Sequence, residues 1–253
     1  MDYQKLTDDI TAWMREYAEN AGAEGYVVGL SGGIDSAVTA ALAVRAMGKE
    51  HVLGVLLPCH SLPEDAQDAR LVADALDLTP ITVDLSATYD ALTAALPPGP
   101  DMAYANIKPR LRMTTLYYLA QAHTYLVGGT GNRAELMVGY FTKYGDGGVD
   151  IEPLGELYKH EVRGLARALG LPESIITRPP SAGLWPGQTD EGEMGITYDE
   201  LDAILAALLN DETPDAPPEQ VAQVERMIAN SAHKRAMPPA FSVERAAYSE
   251  VST

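Results

Sequence analysis

The chain is poor in cysteine and in positive charge. One cysteine, Cys59, stands among 253 residues, which excludes an internal disulfide framework and a cysteine-rich zinc site and suits a reducing compartment. Six lysines and twelve arginines face 36 acidic residues, for a net charge of −18. So acidic a surface does not coat nucleic acid or anionic lipid; an anionic ligand needs a local nest of backbone N–H groups and a few placed cations. No run approaches the roughly 18–20 apolar residues of a membrane span. The opening MDYQKLTDDITAW is acidic and amphipathic, with no basic start leading into an apolar stretch, so no secretory signal is expected. Neither a nucleic-acid nor a membrane partner is expected, and the cytoplasm is the expected location. What is present is 46% hydrophobic residues, enough for a substantial core and too much for a disordered, collagenous or small stapled chain.

Apolar residues recur at helical spacing at Leu6, Ile10, Trp13, Met14 and Tyr17, which predicts a core-packed helix over 3–20. A buried strand over 25–30, a glycine turn at Gly32-Gly33 and an Ala-rich helix from Asp35 to Met47 follow. The alternation repeats: strand 52–57, helix 63–76, strand 80–83, helix 86–96, then, beyond the break at Pro97-Pro98-Gly99-Pro100, helix 110–122 and strand 125–128. Short helical stretches at 132–138 and 159–169 and two helices at 198–209 and 218–229 complete the pattern. Alternating elements imply a Rossmann-like open parallel sheet of about five strands with helices on both faces and a helical C-terminal extension. The whole of 1–253 reads as a single α/β domain. Two breaker-rich segments, 139–157 and 178–195, read as mobile loops near an active site, the second as either a mobile lid or a floppy connection without regular structure.

The residues closing the first strand, Gly29-Leu30-Ser31-Gly32-Gly33-Ile34-Asp35-Ser36, open directly into a helix. Glycines let the backbone approach a ligand, and successive N–H groups at the positive helix end attract phosphate. Open α/β sheets bind ligands at this end of their strands. A bare glycine pair after a strand is more often only a turn, but the full string is far more restrictive. It is not a Walker loop, since no lysine precedes Ser36, nor a Gly-x-Gly-x-x-Gly dinucleotide fingerprint. Ser31 to Ser36 resembles the pyrophosphate loop of the ATP pyrophosphatases. That resemblance implies ATP cleavage between the α and β phosphates and an adenylylated intermediate.

Further segments are similar, in order and across nearly the whole chain, to those of the NH3-dependent NAD synthetases: Leu57-Pro58 through Ser61 with Asp65, Asp68 and Ala69; Asn106 to Met113; Gly129 to Glu135; Gly139 to Asp146; Pro180 to Trp185 with Gln188 to Glu191; and His233 to Arg235. The single cysteine argues against the sulfur-inserting relatives, which work with cysteine pairs. In the reading the resemblance implies, Gly29 to Ser36 with Thr130, Lys159 and Ser181 bind ATP. Asp35 and Glu135 hold Mg²⁺, and Asp35 and Lys159 are catalytic. Arg110, Lys143, Asp150, His233 and Lys234 bind deamido-NAD⁺. Taken singly, Asp35 is a helix cap, Glu135 a solvated helix residue and Lys159 a surface lysine. Ser181 keeps the hydroxyl where many relatives carry Thr, and Pro109 bears on the aim of Arg110 because it starts or kinks a helix.

The implied reaction adenylates the nicotinate carboxylate of deamido-NAD⁺ with ATP, releasing pyrophosphate; ammonia then displaces AMP to give NAD⁺. No covalent enzyme intermediate is required, which agrees with the lack of an obvious Ser-His-Asp or Cys-His nucleophile. A glutamine-dependent relative carries an additional amidase domain, so free ammonia is the expected donor. A homodimer with the deamido-NAD⁺ site at the subunit junction is expected from the resemblance. Two alternatives remain: another adenylate-forming amidotransferase of the superfamily, or a catalytically silent nucleotide-binding module.

Overall fold

The computed structural model of the chain describes residues 1–181, 183–185 and 187–243. Ala182 and Pro186 of the expected lid, and the last ten residues of the expected domain, lie outside them. Strands β1 (Gly25–Gly29), β2 (Val52–Leu56), β3 (Ile81–Thr82) and β4 (Tyr125–Val127) form one parallel sheet in the order β3-β2-β1-β4. Tyr26 pairs with Val52 on one side of β1 and with Leu126 on the other. The chain moves outward from β1 to β3 and then returns to the far side of β1, so the direction of winding reverses between β1 and β4. Ligand crevices of open α/β sheets form at such a reversal.

The sheet has four strands, where about five were expected. Beside β4 the pairing stops at a single parallel bridge, Gly128 to Ile151. The cause is local: Asp150 Oδ2 accepts the Val127 N–H at 2.7 Å, so a carboxylate takes the donor that a further strand would have used. The surrounding Gly145, Gly147 and Gly148 supply no side chains to pack on a pleated surface.

Helices α1 (Tyr3–Ala21), α2 (Ile34–Met47), α3 (Pro63–Ala75), α4 (Ser86–Ala95), α5 (Asp101–Ala105), α6 (Ile107–His123), α7 (Arg133–Val138) and α8 (Lys159–Ala168) follow in chain order. Then come α9 (Glu173–Ile176), α10 (Asp190–Met194), α11 (Tyr198–Leu209) and α12 (Pro218–Ser231). Alternate residues of the strands supply the two faces. Tyr26, Val28, Val52 and Leu56 pack against α1, α2 and α8, whereas Val27, Val55 and Leu57 pack against α4 and α6. A third cluster joins α7, α11 and α12 around Val138, Tyr198, Leu205 and Val224, the helical extension expected from the sequence.

Local chemistry sets the boundaries. The Asp2 carboxylate caps α1, accepting from the N–H groups of Gln4 and Lys5 at 3.1 Å each, and Gly22 ends it at φ 67°. The fully buried stripe of α1 is Thr7, Thr11, Met14 and Ala18; Leu6 and Ile10 pack against the core beside it as expected, whereas Trp13 and Tyr17 do not. The two threonine hydroxyls satisfy themselves on Tyr3 O and Thr7 O, so they bury at little cost, while Trp13 and Tyr17 face outward as a ring pair 5.9 Å apart. Pro109 is the third residue of α6, where its missing N–H has no intrahelical partner to lose, so the helix begins ahead of it without a kink. The 178–195 segment does contain regular structure: its prolines all precede Thr189, whose hydroxyl accepts the Gly192 N–H at 3.2 Å and starts α10.

Candidate functional site

At the carboxyl ends of β1 and β2 a cavity of about 530 Å³ opens. Gly29, Leu30, Ser31, Gly33, Ile34, Asp35 and Ser36 line it, as do Thr130, Glu135, Ser181 and Lys234. The loop after β1 holds its shape through its own hydroxyls. Ser36 Oγ accepts the Ser31 N–H at 3.2 Å and donates to Gly33 O at 2.9 Å, and Ser31 Oγ accepts the Gly33 N–H at 3.2 Å. No side chain caps α2, so the first amides of that helix face the cavity without a protein acceptor. Gly32 has φ +80°, and a Cβ there would stand 2.7 Å from Asp68 Cβ. Both facts require glycine.

Behind the loop lies a compact charge cluster. Asp35 is in the first turn of α2 and Glu135 in the first turn of α7, while Lys159 is the first residue of α8. Lys159 Nζ donates to Asp35 Oδ2 at 2.5 Å and lies 3.5 Å from Glu135 Oε1, with the Tyr198 ring centroid 4.6 Å away. The lysine is 1% exposed. Burial alone would lower its pKa, but the carboxylates of Asp35 and Glu135 outweigh that and hold it above the ordinary lysine range. For Glu135 burial dominates in the opposite sense: with Asp35 beside it, its pKa rises although Lys159 opposes the rise. A capping box aims Glu135, since Asn132 Oδ1 accepts the Glu135 N–H and Glu135 Oε2 accepts the Asn132 N–H. Asn132 Nδ2 also donates to Asp35 Oδ1 at 3.3 Å, tying the two helix starts together.

Sequence reasoning assigned no role to several groups found here. Asp190, 5% exposed, accepts from Tyr198 Oη at 3.1 Å and Tyr140 Oη at 3.2 Å, and the same Tyr198 hydroxyl donates to Glu135 Oε1 at 2.8 Å. The helical turn α10 is thereby wired to the carboxylate pair. Arg178 grips Asp65 Oδ1 at 2.6 Å and Asp68 Oδ2 at 2.9 Å. Arg112 donates to Leu57 O at 3.1 Å from the cavity wall. The motif segments 65–69 and 188–191 were the available signals for the two aspartates at 65 and 68 and for Asp190; nothing in the sequence singled out Tyr198.

The structure brings together four of the five residues assigned to the second substrate. Arg110 donates to Lys143 O at 3.3 Å, Lys143 Nζ donates to His233 O at 2.5 Å, and the adjacent Lys234 donates to Gly139 O and Phe141 O at 2.7 Å each. Burial pulls the Lys234 pKa down. Asp150 stands apart: its oxygens are taken by Tyr117 Oη and the Val127 N–H, and it lines a separate cavity of about 260 Å³ with Tyr117 and Gly22. Ser181 accepts the Gly183 N–H at 3.2 Å and donates to Gln188 O at 2.8 Å, organising its own loop. Cys59 is buried, and burial pushes its thiol pKa up, the opposite of what a nucleophile needs. Among the described residues no helix is long and apolar enough to cross a membrane.

Comparison with known proteins completes the picture. The family described as NAD synthase matches residues 6–238. An NH3-dependent NAD⁺ synthetase of Carboxydothermus hydrogenoformans is 52% identical, with 94% of this chain and 97% of that one covered. The corresponding protein of Finegoldia magna is 46% identical over 98% of this chain and all of its own. Among solved structures, an NMN synthetase from Francisella tularensis matches 95% of this chain and 100% of its own at 36% identity and a TM-score of 0.86. An NH3-dependent NAD synthetase from Campylobacter jejuni matches 96% and 100% at 32% identity and a TM-score of 0.83.

Proposed function

The chain belongs to the NAD synthase family, and from that premise we propose how its cavity divides the work. The enzyme is a ligase that forms NAD⁺ with ammonia as the nitrogen source and uses ATP as co-substrate. The loop from Gly29 to Ser36 and the uncapped start of α2 hold the triphosphate, so that the departing pyrophosphate rests against backbone N–H groups. Thr130 and Ser181 complete the nucleotide wall. Lys159 neutralises charge at the phosphates and steadies Asp35 and Glu135.

The carboxylate pair fits Mg²⁺. Asp35 and Glu135 are hard oxygen donors at adjacent helix starts, and a divalent cation would offset the burial, and the neighbouring Asp35 charge, that raise the Glu135 pKa. Asp35 and Glu135 would hold the ion, and its charge would offset that of the phosphates. Arg110, Lys143, His233 and Lys234 take the pyrophosphate of deamido-NAD⁺, and Asp150, on the other side of β4, contributes through a homodimer in which two copies build the site jointly. The segment 178–195 covers the cavity and keeps water from the acyl-adenylate. We place this activity in the cytoplasm.

The observation that carries this reading is Lys159 buried between Asp35 and Glu135 directly beneath an uncapped phosphate loop. A second acid substrate, nicotinate mononucleotide, is favoured by the likeness to the Francisella NMN synthetase. Purified protein with Mg²⁺, ATP, ammonium and either acid separates the two. NAD⁺ and AMP in equal amounts, at a kcat/KM at least tenfold above that for the mononucleotide, are expected. AMP release without amide from either acid would overturn the assignment.

A further inference from the structure

We infer that Arg178 is a positioning residue for the pyrophosphate loop, acting through the backbone carbonyl of Gly32. The inference rests on the functional reading above and adds to it the group that fixes the loop from behind.

Three contacts define the arrangement. The Arg178 guanidinium bridges Asp65 and Asp68, one turn apart on α3, at 2.6 and 2.9 Å, and its Nη1 donates to Gly32 O at 3.3 Å. Arg178 and Asp65 are only about a quarter exposed, so the grip is not that of a solvated surface pair. The position of Gly32 leaves no slack, because its backbone lies so close to α3 that a Cβ would collide with Asp68. A peptide unit is planar and trans, with its C=O and N–H on opposite sides. Holding Gly32 O toward Arg178 therefore turns the Gly33 N–H the other way, toward Ser31 Oγ at 3.2 Å and the cavity that Ser31 and Gly33 both line. That bond to Ser31 Oγ closes the loop that leads into the uncapped first amides of α2, which are the donors open to a pyrophosphate. Without the anchor, the peptide at a glycine pair is free to rotate, and the loop loses the shape that presents those amides.

The same residue joins two parts of the cavity wall. Pro179, Pro180 and Ser181, which follow it, line the cavity, and Pro180 O accepts the Asp190 N–H at 3.1 Å. Arg178 thus fastens the root of the 178–195 segment to the phosphate loop and to α3 at once. A direct role, with the guanidinium itself bonded to pyrophosphate, makes the opposite prediction when its acidic partners are removed, and this separates the two.

The experiment measures binding of inorganic pyrophosphate with Mg²⁺ by calorimetry, alongside steady-state kinetics, in the wild type, Arg178→Ala, Arg178→Lys and the double variant Asp65→Asn/Asp68→Asn. Circular dichroism monitors folding of each. Pyrophosphate binding by the wild type tests the functional reading separately from the inference. Arg178→Ala should weaken pyrophosphate at least tenfold and raise KM for ATP similarly, with KM for deamido-NAD⁺ changed less than twofold. Arg178→Lys, which keeps the charge but cannot make all three contacts, should recover only part of the loss. The double variant keeps the guanidinium and frees it from its anchors; it should also weaken pyrophosphate. Unchanged affinity in Arg178→Ala, full recovery in Arg178→Lys, or tighter pyrophosphate in the double variant overturns the positioning role. Should Arg178→Ala not fold, the double variant and Arg178→Lys decide by the same criteria.

Discussion

The two sides of the cavity are built on opposite principles. On the nucleotide side, charges neutralise one another inside the chain: Lys159 with Asp35 and Glu135, and Arg178 with Asp65 and Asp68. On the side proposed for deamido-NAD⁺, the hydrogen bonds of Arg110, Lys143 and Lys234 go to carbonyl oxygens, and Asp146 is the acid that acts on Lys234. In a chain of net charge −18 three cations so close together are the local exception that an anionic substrate needs. On the proposed division, one half of the site is preorganised before any substrate arrives, whereas the other takes further counter-charge from the substrate.

The sharpest way to break that contrast is Asp35→Asn. It removes the anion nearest to Lys159 and one of the two proposed metal ligands, and a loss of kcat of about a hundredfold or more is expected. Glu135 still faces the lysine at 3.5 Å, so the fold should survive with a cost below the roughly 3–5 kcal/mol of a fully orphaned buried charge. Turnover and the melting curve, measured together, check both statements; wild-type turnover would remove the carboxylate pair from the chemistry. Arg110→Ala probes the other side and should be milder. Its guanidinium is exposed and its loss leaves the nucleotide side untouched, so KM for deamido-NAD⁺ should rise about tenfold, the ~1.4 kcal/mol of one charge-assisted contact, with KM for ATP unchanged. A parallel rise in both constants would show the two sides to be one.

The same division explains what could be read in advance. The phosphate loop was legible because Gly32 and Gly33 have a local backbone job, and local jobs leave a local spacing. The alternation of elements gave the parallel sheet with helices on both faces, since strands buried on both faces are continuous apolar runs such as Val52 to Leu57. The four strands named from the sequence are the four found; the expected total of about five was one too many, and beside β4 the Asp150 carboxylate takes the Val127 N–H that a further strand would have used. Leu6, Ile10 and Met14 of α1 pack on the core as expected, but the stripe also runs through two threonines that bury with their hydroxyls turned onto their own helix, a possibility that apolar periodicity ignores. Tyr198 was invisible for a different reason. Its role exists only where α11 meets α7 and α10, and no spacing in the sequence records that meeting.

The smallest effect expected concerns Glu152, which packs behind the Gly129–Gly131 turn and forms no ion pair among the described residues. Its Oε2 accepts the Gly131 N–H at 3.0 Å, and burial pushes its pKa up to about 8 against that hydrogen bond. A carboxyl whose pKa is raised on folding binds more protons in the folded than in the unfolded chain between about pH 4.5 and 8. Stability from this group is therefore present in full below that window and falls as pH rises through it, by at most about 1.4 kcal/mol per pH unit. Glu152→Gln keeps the acceptor for Gly131 and removes the titration, so its denaturant midpoint should change less between pH 5 and 8 than that of the wild type, with the two closest at the acid end. The nucleotide side tolerates an unpaired acid here only because it can stay protonated. Parallel midpoints for the two proteins across the window would mean that Glu152 is ionised throughout and has found a cation after all.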